Sequence, residues 1–207
     1  MGGIGIVRRL TACVLMMTLL LSGCKAGNGG EGPEELTGTI REEYQNMAGW
    51  SATADLTVDY GDKVFDFTMD VQWRRDGETM LTVTAPELLS GITARVAEDE
   101  TVLEYDGAGL SLGALDGDGL TPVSAVTALM ARIDQGYMAQ WKWAGPEDSQ
   151  LTILCRDPEL APNEGTEFLL TFDRDSHALL SAEVSSAGAT VLTVSFSDFI
   201  VDAVEKK

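Results

Sequence analysis

The chain has 207 residues, of which 33 are acidic and 14 are basic, and its formal net charge at pH 7 is −19. This charge excludes recognition of nucleic acid, because such recognition depends on clustered lysine and arginine. It equally disfavours electrostatic attachment of the whole chain to an anionic membrane.

The N-terminal segment has the pattern of an export signal. Arg8 and Arg9 precede an apolar run over residues 10–21, and residues 1–23 contain no acidic residue. The run is too short for a membrane-spanning helix, which needs about 20 apolar residues. A positive start, a short apolar run and small residues before a cleavage site are typical of a secretory signal peptide. We therefore predict a signal peptide over residues 1–23.

A cysteine directly follows this run, in Leu21-Ser22-Gly23-Cys24. The tetrapeptide resembles the lipobox of bacterial lipoproteins, in which the leader is cleaved before the cysteine and the thiol carries a diacylglycerol. The resemblance implies a lipid anchor at Cys24 and a location on the extracytoplasmic face of the cell membrane. Two acyl chains hold a protein stably at a membrane, whereas one chain holds it only marginally. The alternative is an ordinary signal peptide followed by a chance cysteine.

Loss of the leader removes two of the 14 basic residues and none of the 33 acidic ones, which leaves a net charge of −21. Residues 24–33 form the predicted tether, a glycine-rich segment with an end-to-end distance of roughly 17 Å. Residues 34–207 form the predicted folded domain. Within it, apolar residues at helical spacing predict an amphipathic helix over residues 34–48.

The hydrophobic period then changes from 3.6 to 2, which predicts a long antiparallel hairpin over residues 52–60 and 64–73. One face of this hairpin is acidic, through Asp55, Asp59, Asp66 and Asp70. The other face is apolar, through Leu56, Val58, Tyr60, Phe65, Phe67, Met69, Val71 and Trp73. The acidic face is either a solvated strand face or a site for a cation or basic partner. The apolar face is either core under the helices or the wall of a groove that two short helices leave open.

Further strands are predicted over residues 79–85, 91–98, 101–106, 139–143, 150–156, 167–173, 179–185 and 190–196. Thr121 and Pro122 begin a second helix, which ends at Gly136. No proline or glycine interrupts the last three strands, so we expect them inside the sheet. The pattern predicts an α+β fold, in which two or three helices cover one curved antiparallel sheet.

Motifs that could carry catalysis are weak. The segment Gly109-Leu-Ser-Leu-Gly113 matches the nucleophile elbow of hydrolases, but that motif needs a strand-to-helix turn and a histidine. The chain has one histidine, His177, in a predicted turn. Cys155 has no histidine or second cysteine beside it and is interpreted as an apolar strand residue. We predict no catalytic residue and no enzymatic activity.

Two aspartate-rich turns, Asp116-Gly-Asp-Gly119 and Asp173-Arg-Asp175, could suggest calcium. Neither fits the spacing of a calcium-binding loop. Glycine and aspartate are common in turns that bind no metal. We predict no metal site and no cofactor.

The order of the elements resembles that of LolA-like proteins over roughly residues 34–200. It is carried by Pro86-Glu-Leu-Leu-Ser-Gly91-Ile-Thr-Ala, Leu103-Glu-Tyr-Asp-Gly107, Thr121-Pro122-Val-Ser-Ala and Phe196-Ser-Asp-Phe199. This family contains the carrier and sorting proteins of outer-membrane lipoproteins and their lipid-anchored relatives. The resemblance implies a half-open β-barrel with helices as a lid and an apolar cavity for acyl chains.

A lipobox distinguishes this chain from the soluble carrier and makes it closer to anchored members, including germination lipoproteins of spore-formers. We therefore expect a membrane-anchored, non-enzymatic lipoprotein that binds acyl chains, a lipoprotein or an apolar partner segment. The alternative is an envelope interaction scaffold, and the germination lipoproteins imply support of a cell-wall amidase for that role.

Overall fold

The computed structural model of the chain describes residues 31–115 and 119–202. The predicted signal peptide, Cys24 and residues 25–30 of the predicted tether lie outside the described residues. Residues 116–118, in the first aspartate-rich turn, also lie outside them. The two α-helices in the described part are α1 (Pro33–Asn46) and α2 (Pro122–Gln135).

Eleven strands occur in this part of the chain, and all of them belong to one sheet. They are β1 (Gly49–Asp59), β2 (Val64–Arg74), β3 (Thr79–Ala85), β4 (Thr93–Val96), β5 (Thr101–Tyr105), β6 (Ala108–Gly113), β7 (Met138–Ala144), β8 (Gln150–Cys155), β9 (Thr166–Asp173), β10 (Leu179–Ser186) and β11 (Ala189–Asp202). Short 3₁₀ turns occur at Glu87–Leu89 and Pro146–Asp148.

The strand order is β6-β5-β4-β3-β2-β1-β11-β10-β9-β8-β7, and every neighbouring pair is antiparallel. The first and last strands therefore pair with each other in the middle of the sheet. Strands β6 and β7 are the two edges, so the sheet is not closed. The predicted α+β class is confirmed, and β9, β10 and β11 lie inside the sheet as the sequence indicates.

The second helix begins as its capping sequence predicts. The Thr121 hydroxyl accepts a hydrogen bond from the Ser124 N–H at 3.1 Å, and the Ser124 hydroxyl accepts one from the Thr121 N–H at 3.2 Å. Pro122 takes the first helical position, where the missing N–H costs nothing. This reciprocal arrangement satisfies two amides that the helix itself leaves without partners.

We call the sheet face that packs against the helices the inner face. The Trp50 indole of β1 donates to the Met130 sulfur of α2 at 3.2 Å, and the Tyr44 ring of α1 packs edge-on against Phe172 of β9 at 5.5 Å. Each fully buried large apolar side chain in this layer contributes roughly 1.5–3 kcal/mol. The helices are held to the sheet mainly by this burial.

The opposite, outer face of the β1–β2 hairpin carries the predicted acidic row. Its carboxylates alternate with threonines across the two strands. Thr57 donates to Asp66 at 2.7 Å, Thr68 donates to Asp55 at 2.7 Å, and Thr53 donates to Asp70 at 3.3 Å. Each of these three carboxylates therefore faces a hydroxyl donor across the strand pair and not another acid.

Neither α1 nor α2 has the length and apolar character that a membrane-crossing helix requires, and the same holds for every helix in residues 31–115 and 119–202.

Candidate functional site

The eight residues of the predicted apolar groove divide into three groups. Leu56, Val58, Met69 and Val71 are buried in the core. Phe67 and Trp73 are partly buried and pack against that core. Tyr60 and Phe65, at the turn end of the hairpin, are 53% and 42% exposed. The inner face therefore changes from closed core to open surface along the length of one hairpin.

Three aromatic rings form the open part, which we call the aromatic end (Tyr60, Phe65 and Phe67). Tyr60 packs at a steep angle on Phe65 with ring centroids 6.2 Å apart, and Phe65 stacks on Phe67 at 6.4 Å. The spacing of two along β2 places Phe65 and Phe67 on the same face. Their cross-strand partners are Val58 and Leu56, both fully buried. The aromatic end is thus a direct continuation of the core.

Apolar inner-face residues continue from this end toward the β6 edge. Met69 faces Val83 across β2 and β3, and Leu103 faces Leu110 across β5 and β6. Val83 and Leu103 are partly buried, whereas Leu110 is 60% exposed. We call Phe65, Phe67, Val83, Leu103 and Leu110 together the open apolar face.

The helices lie away from the open apolar face. Helix α1 contacts β7 and β8, at the edge of the sheet opposite β6. Helix α2 reaches β2 near its other end, where Thr127, Trp73 and Val96 line one cleft of about 260 Å³. Within residues 31–115 and 119–202, two helices of 14 residues leave part of the eleven-stranded sheet without a covering layer. The exposed part comprises the turn end of β1–β2 and strand β6, whereas Leu81 of β3 and Ala94 and Val96 of β4 are buried.

The candidate catalytic residues are not brought together. The Ser111 hydroxyl of β6 donates to the Glu100 carboxylate at 2.9 Å. His177 lies between β9 and β10, and its Nδ1 is 2.7 Å from the Glu43 carboxylate. Strands β6 and β10 are seven strand spacings apart in the sheet. At the usual spacing, Ser111 and His177 are therefore separated by roughly 34 Å along the sheet. Ser111 sits on an edge strand and not on the strand-to-helix turn that a nucleophile elbow requires.

Cys155 is a buried residue of β8, which confirms its interpretation as an apolar strand residue. Burial raises the pKa of its thiol to about 11, and the nearby charges of Arg41 and Arg132 oppose that rise only in part. A thiol that stays protonated at neutral pH is a poor nucleophile.

No group of three or more histidine, cysteine, aspartate or glutamate side chains in the described part of the chain is arranged to hold a metal ion. The Asp173 carboxylate accepts hydrogen bonds from the Ser176 N–H at 2.8 Å and the Asp175 N–H at 3.2 Å. These bonds make Asp173 the organising residue of its own turn.

Sequence reasoning missed the contribution of β5 and β6 to the open apolar face. The glycines at 107, 109 and 113 made this stretch resemble broken loop segments. The available signal was the spacing of two between Leu110 and Leu112, which is the period of a strand. The pairing of Leu103 with Leu110 depends on the register of two short strands, which the sequence does not specify.

An open antiparallel sheet with a two-helix layer and an uncovered aromatic end defines the fold and the candidate site. No family model and no curated protein matches the chain. Solved structures do match.

A putative outer-membrane lipoprotein-sorting domain from Vibrio parahaemolyticus has 12% identity and a TM-score of 0.49, over 85% of this chain and 94% of that one. A LolA-superfamily protein from Nitrosomonas europaea has 9% identity and a TM-score of 0.43, over 84% and 96%. A chain in the complex of the CwlD amidase with the GerS lipoprotein from Clostridioides difficile has 16% identity and a TM-score of 0.46, over 84% and 98%. Structures similar to this chain thus include members of the superfamily that the order of its elements resembles.

Proposed function

We propose that the mature chain is a lipid-anchored, non-enzymatic binding protein on the extracytoplasmic face of the cell membrane. Its ligand is an acyl chain, carried by a lipid or by a lipoprotein, which lies along the open apolar face. Cys24 is the anchor, and the chain needs it because a net charge of −21 gives the domain as a whole no electrostatic attraction to the membrane.

The observation that carries this proposal is the exposure of the aromatic end, which directly continues the buried core of the same face. A phenylalanine side chain buries roughly 200 Å² when it is fully covered. Covering the exposed 42% of Phe65 would therefore remove roughly 80 Å² from water and contribute about 2 kcal/mol. Adjoining exposed apolar side chains, such as those of Tyr60 and Phe65, are typical of a binding site.

The dimensions of the open apolar face suit an extended hydrocarbon chain. Four strand spacings separate β2 from β6, or about 19 Å. One leaflet of a bilayer, which an acyl tail fills, is about 15 Å deep. Each buried methylene contributes about 0.8 kcal/mol, so a chain along this face gains affinity with every strand that it crosses.

The mature protein purified from membranes tests the proposal. Native mass spectrometry should show one lipid in addition to the covalent anchor, and a fluorescent fatty acid should saturate at one per chain. Phe65→Glu should weaken fatty-acid binding about 30-fold, the equivalent of about 2 kcal/mol. Absence of bound lipid together with absence of fatty-acid uptake would contradict the proposal.

Val64→Glu is the matched control for this experiment. Val64 is adjacent to Phe65 and 58% exposed, and it lies on the outer face opposite Asp59. The same substitution there adds the same charge to the same strand and leaves the open apolar face intact. Equal weakening by the two variants would show that the charge, and not the site, matters.

A second candidate function is an interaction scaffold for another envelope protein, and the β6 edge favours it. Strand β6 has a neighbour only on its β5 side among the described strands, and its sequence Ala-Gly-Leu-Ser-Leu-Gly contains no charged residue. Exposed, uncharged edge strands readily accept a strand from a partner. A protein partner captured from envelope extract, lost in Leu110→Lys and retained in Phe65→Glu, would support the scaffold.

A further inference from the structure

Two arginines face one open cleft beside the C-terminal end of α2. Arg132 and Arg156 line this cleft, which has a volume of about 630 Å³ and also contains Tyr137 and Leu160. A neighbouring cleft of about 480 Å³ is lined by Arg41, and the two clefts share Tyr137. A chain that is strongly acidic overall thus places three of its cations around one turn.

Arg132 and Arg156 differ in their partners from three other arginines of the described chain. Arg74, Arg75 and Arg95 each form an ion pair with a carboxylate. Among the described residues, neither Arg132 nor Arg156 forms one. In a protein with 33 acidic residues, arginines that lack an acidic partner are free to bind an anion from outside.

The contacts that these two side chains do make leave donors available. The Arg132 guanidinium lies over the Phe168 ring at 5.0 Å and makes no hydrogen bond within the described residues. The Arg156 Nη1 donates to the main-chain oxygens of Asp157, at 3.1 Å, and Leu160. These bonds fix the Arg156 side chain and leave its Nε and Nη2 without an acceptor among the described residues.

Local negative charge is limited. Glu34 and Asp157 are the acids that line the two clefts. Arg41 donates to the main-chain oxygens of Ile133 and Gly136, which offsets the partial negative charge at the C-terminal end of α2. Asp134, on the last turn of α2, is paired with Arg75 at 3.6 Å, and Glu159 is exposed in the loop beside Leu160.

The residue at which the predicted tether joins the domain selects the ligand. The predicted tether joins the domain at Pro33, the first residue of α1, and Glu34 lines the cleft that contains Arg41. A tether of roughly 17 Å keeps this region close to the lipid headgroups. Tyr137 is half exposed and Trp141 partly exposed, and both ring types favour the membrane interface.

We propose that the cleft of Arg132 and Arg156, the arginine cleft, binds the phosphate group of an anionic phospholipid in the membrane that holds the anchor. This inference rests on the lipid anchor of the proposed function. The planar guanidinium groups donate paired hydrogen bonds to phosphate oxygens, and the Tyr137 ring lies among the upper acyl carbons. Binding there orients the domain, so that one fixed side faces the membrane.

Hydrogen exchange of the mature lipidated protein tests the proposal. The protein is placed in vesicles of phosphatidylcholine, with or without phosphatidylglycerol. Amides over residues 132–141 and 156–160 should exchange about tenfold more slowly with phosphatidylglycerol, when that lipid is present at about ten times its dissociation constant. Arg132→Gln with Arg156→Gln should abolish the difference.

The matched control is Arg74→Gln with Arg95→Gln, which removes the same two charges from arginines that already have carboxylate partners. It should keep the slower exchange. Loss of the effect in this control, or its persistence in the Arg132 and Arg156 variant, would overturn the proposal. Inorganic phosphate that reproduces the slowing in phosphatidylcholine vesicles would also overturn it, because the site would then bind free phosphate.

If the double glutamine variant unfolds, the salt dependence of the exchange in the unmodified protein tests the proposal instead. The slowing in the unmodified protein must weaken as salt rises, and a slowing that does not change with salt would overturn the proposal. Failure of the anchor is visible separately, because such a protein does not float with the vesicles. Failure of the arginine cleft leaves a floating protein whose exchange does not depend on the lipid.

Discussion

Arg75 and Asp134 form an ion pair at 3.6 Å that joins the turn between β2 and β3 to the last turn of α2. The same guanidinium donates to the main-chain oxygen of Met47 at 3.1 Å and to that of Tyr44. One side chain of the β2–β3 turn therefore binds the C-terminal ends of both helices. The helix layer is fixed at this end, and the uncovered part of the inner face lies elsewhere.

Replacement of Arg75 should loosen that layer. Arg75→Gln removes an ion pair and two hydrogen bonds to helix-terminal carbonyls, which should lower the free energy of unfolding by about 2 kcal/mol. Urea denaturation followed by circular dichroism measures the change. Arg74→Gln is the control, because its pair with Asp202 is exposed at the surface and should matter by less than about 0.5 kcal/mol. Equal effects of the two substitutions would contradict the role given to Arg75.

The hydroxyl of Tyr44 should also be important for stability. It donates to the main-chain oxygen of His177 at 3.1 Å and accepts from the buried N–H of Leu179 at 3.0 Å. Tyr44→Phe leaves that N–H without a partner and should cost about 2 kcal/mol of unfolding free energy in the same assay. Tyr60→Phe, on an exposed ring, should change stability little. An unchanged free energy of unfolding in Tyr44→Phe would show that water replaces the hydroxyl.

Cys155 should be inert in the folded protein. Burial raises the pKa of its thiol to about 11, so the reactive thiolate is scarce at pH 8. Alkylation of Cys155 should be roughly a hundredfold slower in the folded protein than in the unfolded chain, where the thiol has a pKa of about 8.5. Mass spectrometry after iodoacetamide treatment, with and without denaturant, measures the ratio. Fast labelling of the folded protein would mean that β8 opens or that the thiol is accessible.

Asp173 should contribute stability that depends on pH. The hydrogen bond from the Ser176 N–H, then that from the Ser176 hydroxyl, lowers the pKa of its carboxyl below the ordinary value. A lowered pKa in the folded state means that the stabilisation is complete above the unfolded value, about 3.9, and is lost as the pH falls through the folded value.

Asp173→Asn should therefore be less stable than the unmodified protein at pH 7, and the difference should shrink below about pH 4. Unfolding measured across this range gives the comparison. Asp175→Asn is the control, because the Asp175 side chain makes no hydrogen bond among the described residues. A constant difference at every pH would contradict the linkage.

Local patterns allowed much of the fold to be predicted. The period of two placed β3 at residues 79–85, and the Thr121 cap placed the start of α2, both as observed. The strand period and the helix cap depend only on residues that are close in sequence, so they can be identified without the structure. The order of the eleven described strands is a non-local property that periodicity does not contain. The resemblance to LolA-like proteins implied a half-open barrel under helices but no strand order.

The candidate site could be predicted only in part. Alternation in the hairpin identified all eight apolar residues, because side chains on a strand point to alternate faces. It could not separate buried Val58 from exposed Phe65, although the two face each other across the strand pair. That difference depends on where two helices end over the sheet. Helix placement arises from packing contacts such as the Trp50–Met130 pair, which no spacing encodes.

Photo-crosslinking maps where an acyl chain binds on the mature lipidated protein. A diazirine-bearing fatty acid is crosslinked to the protein, and the labelled peptides are identified by mass spectrometry. If the acyl chain lies along the open apolar face, adducts fall within residues 60–67 and on the strands carrying Val83, Leu103 and Leu110, and labelling is lost in Phe65→Glu and kept in Val64→Glu. Adducts concentrated on α1, β7 and β8, or equal labelling of the two variants, would show that the acyl chain does not bind this face.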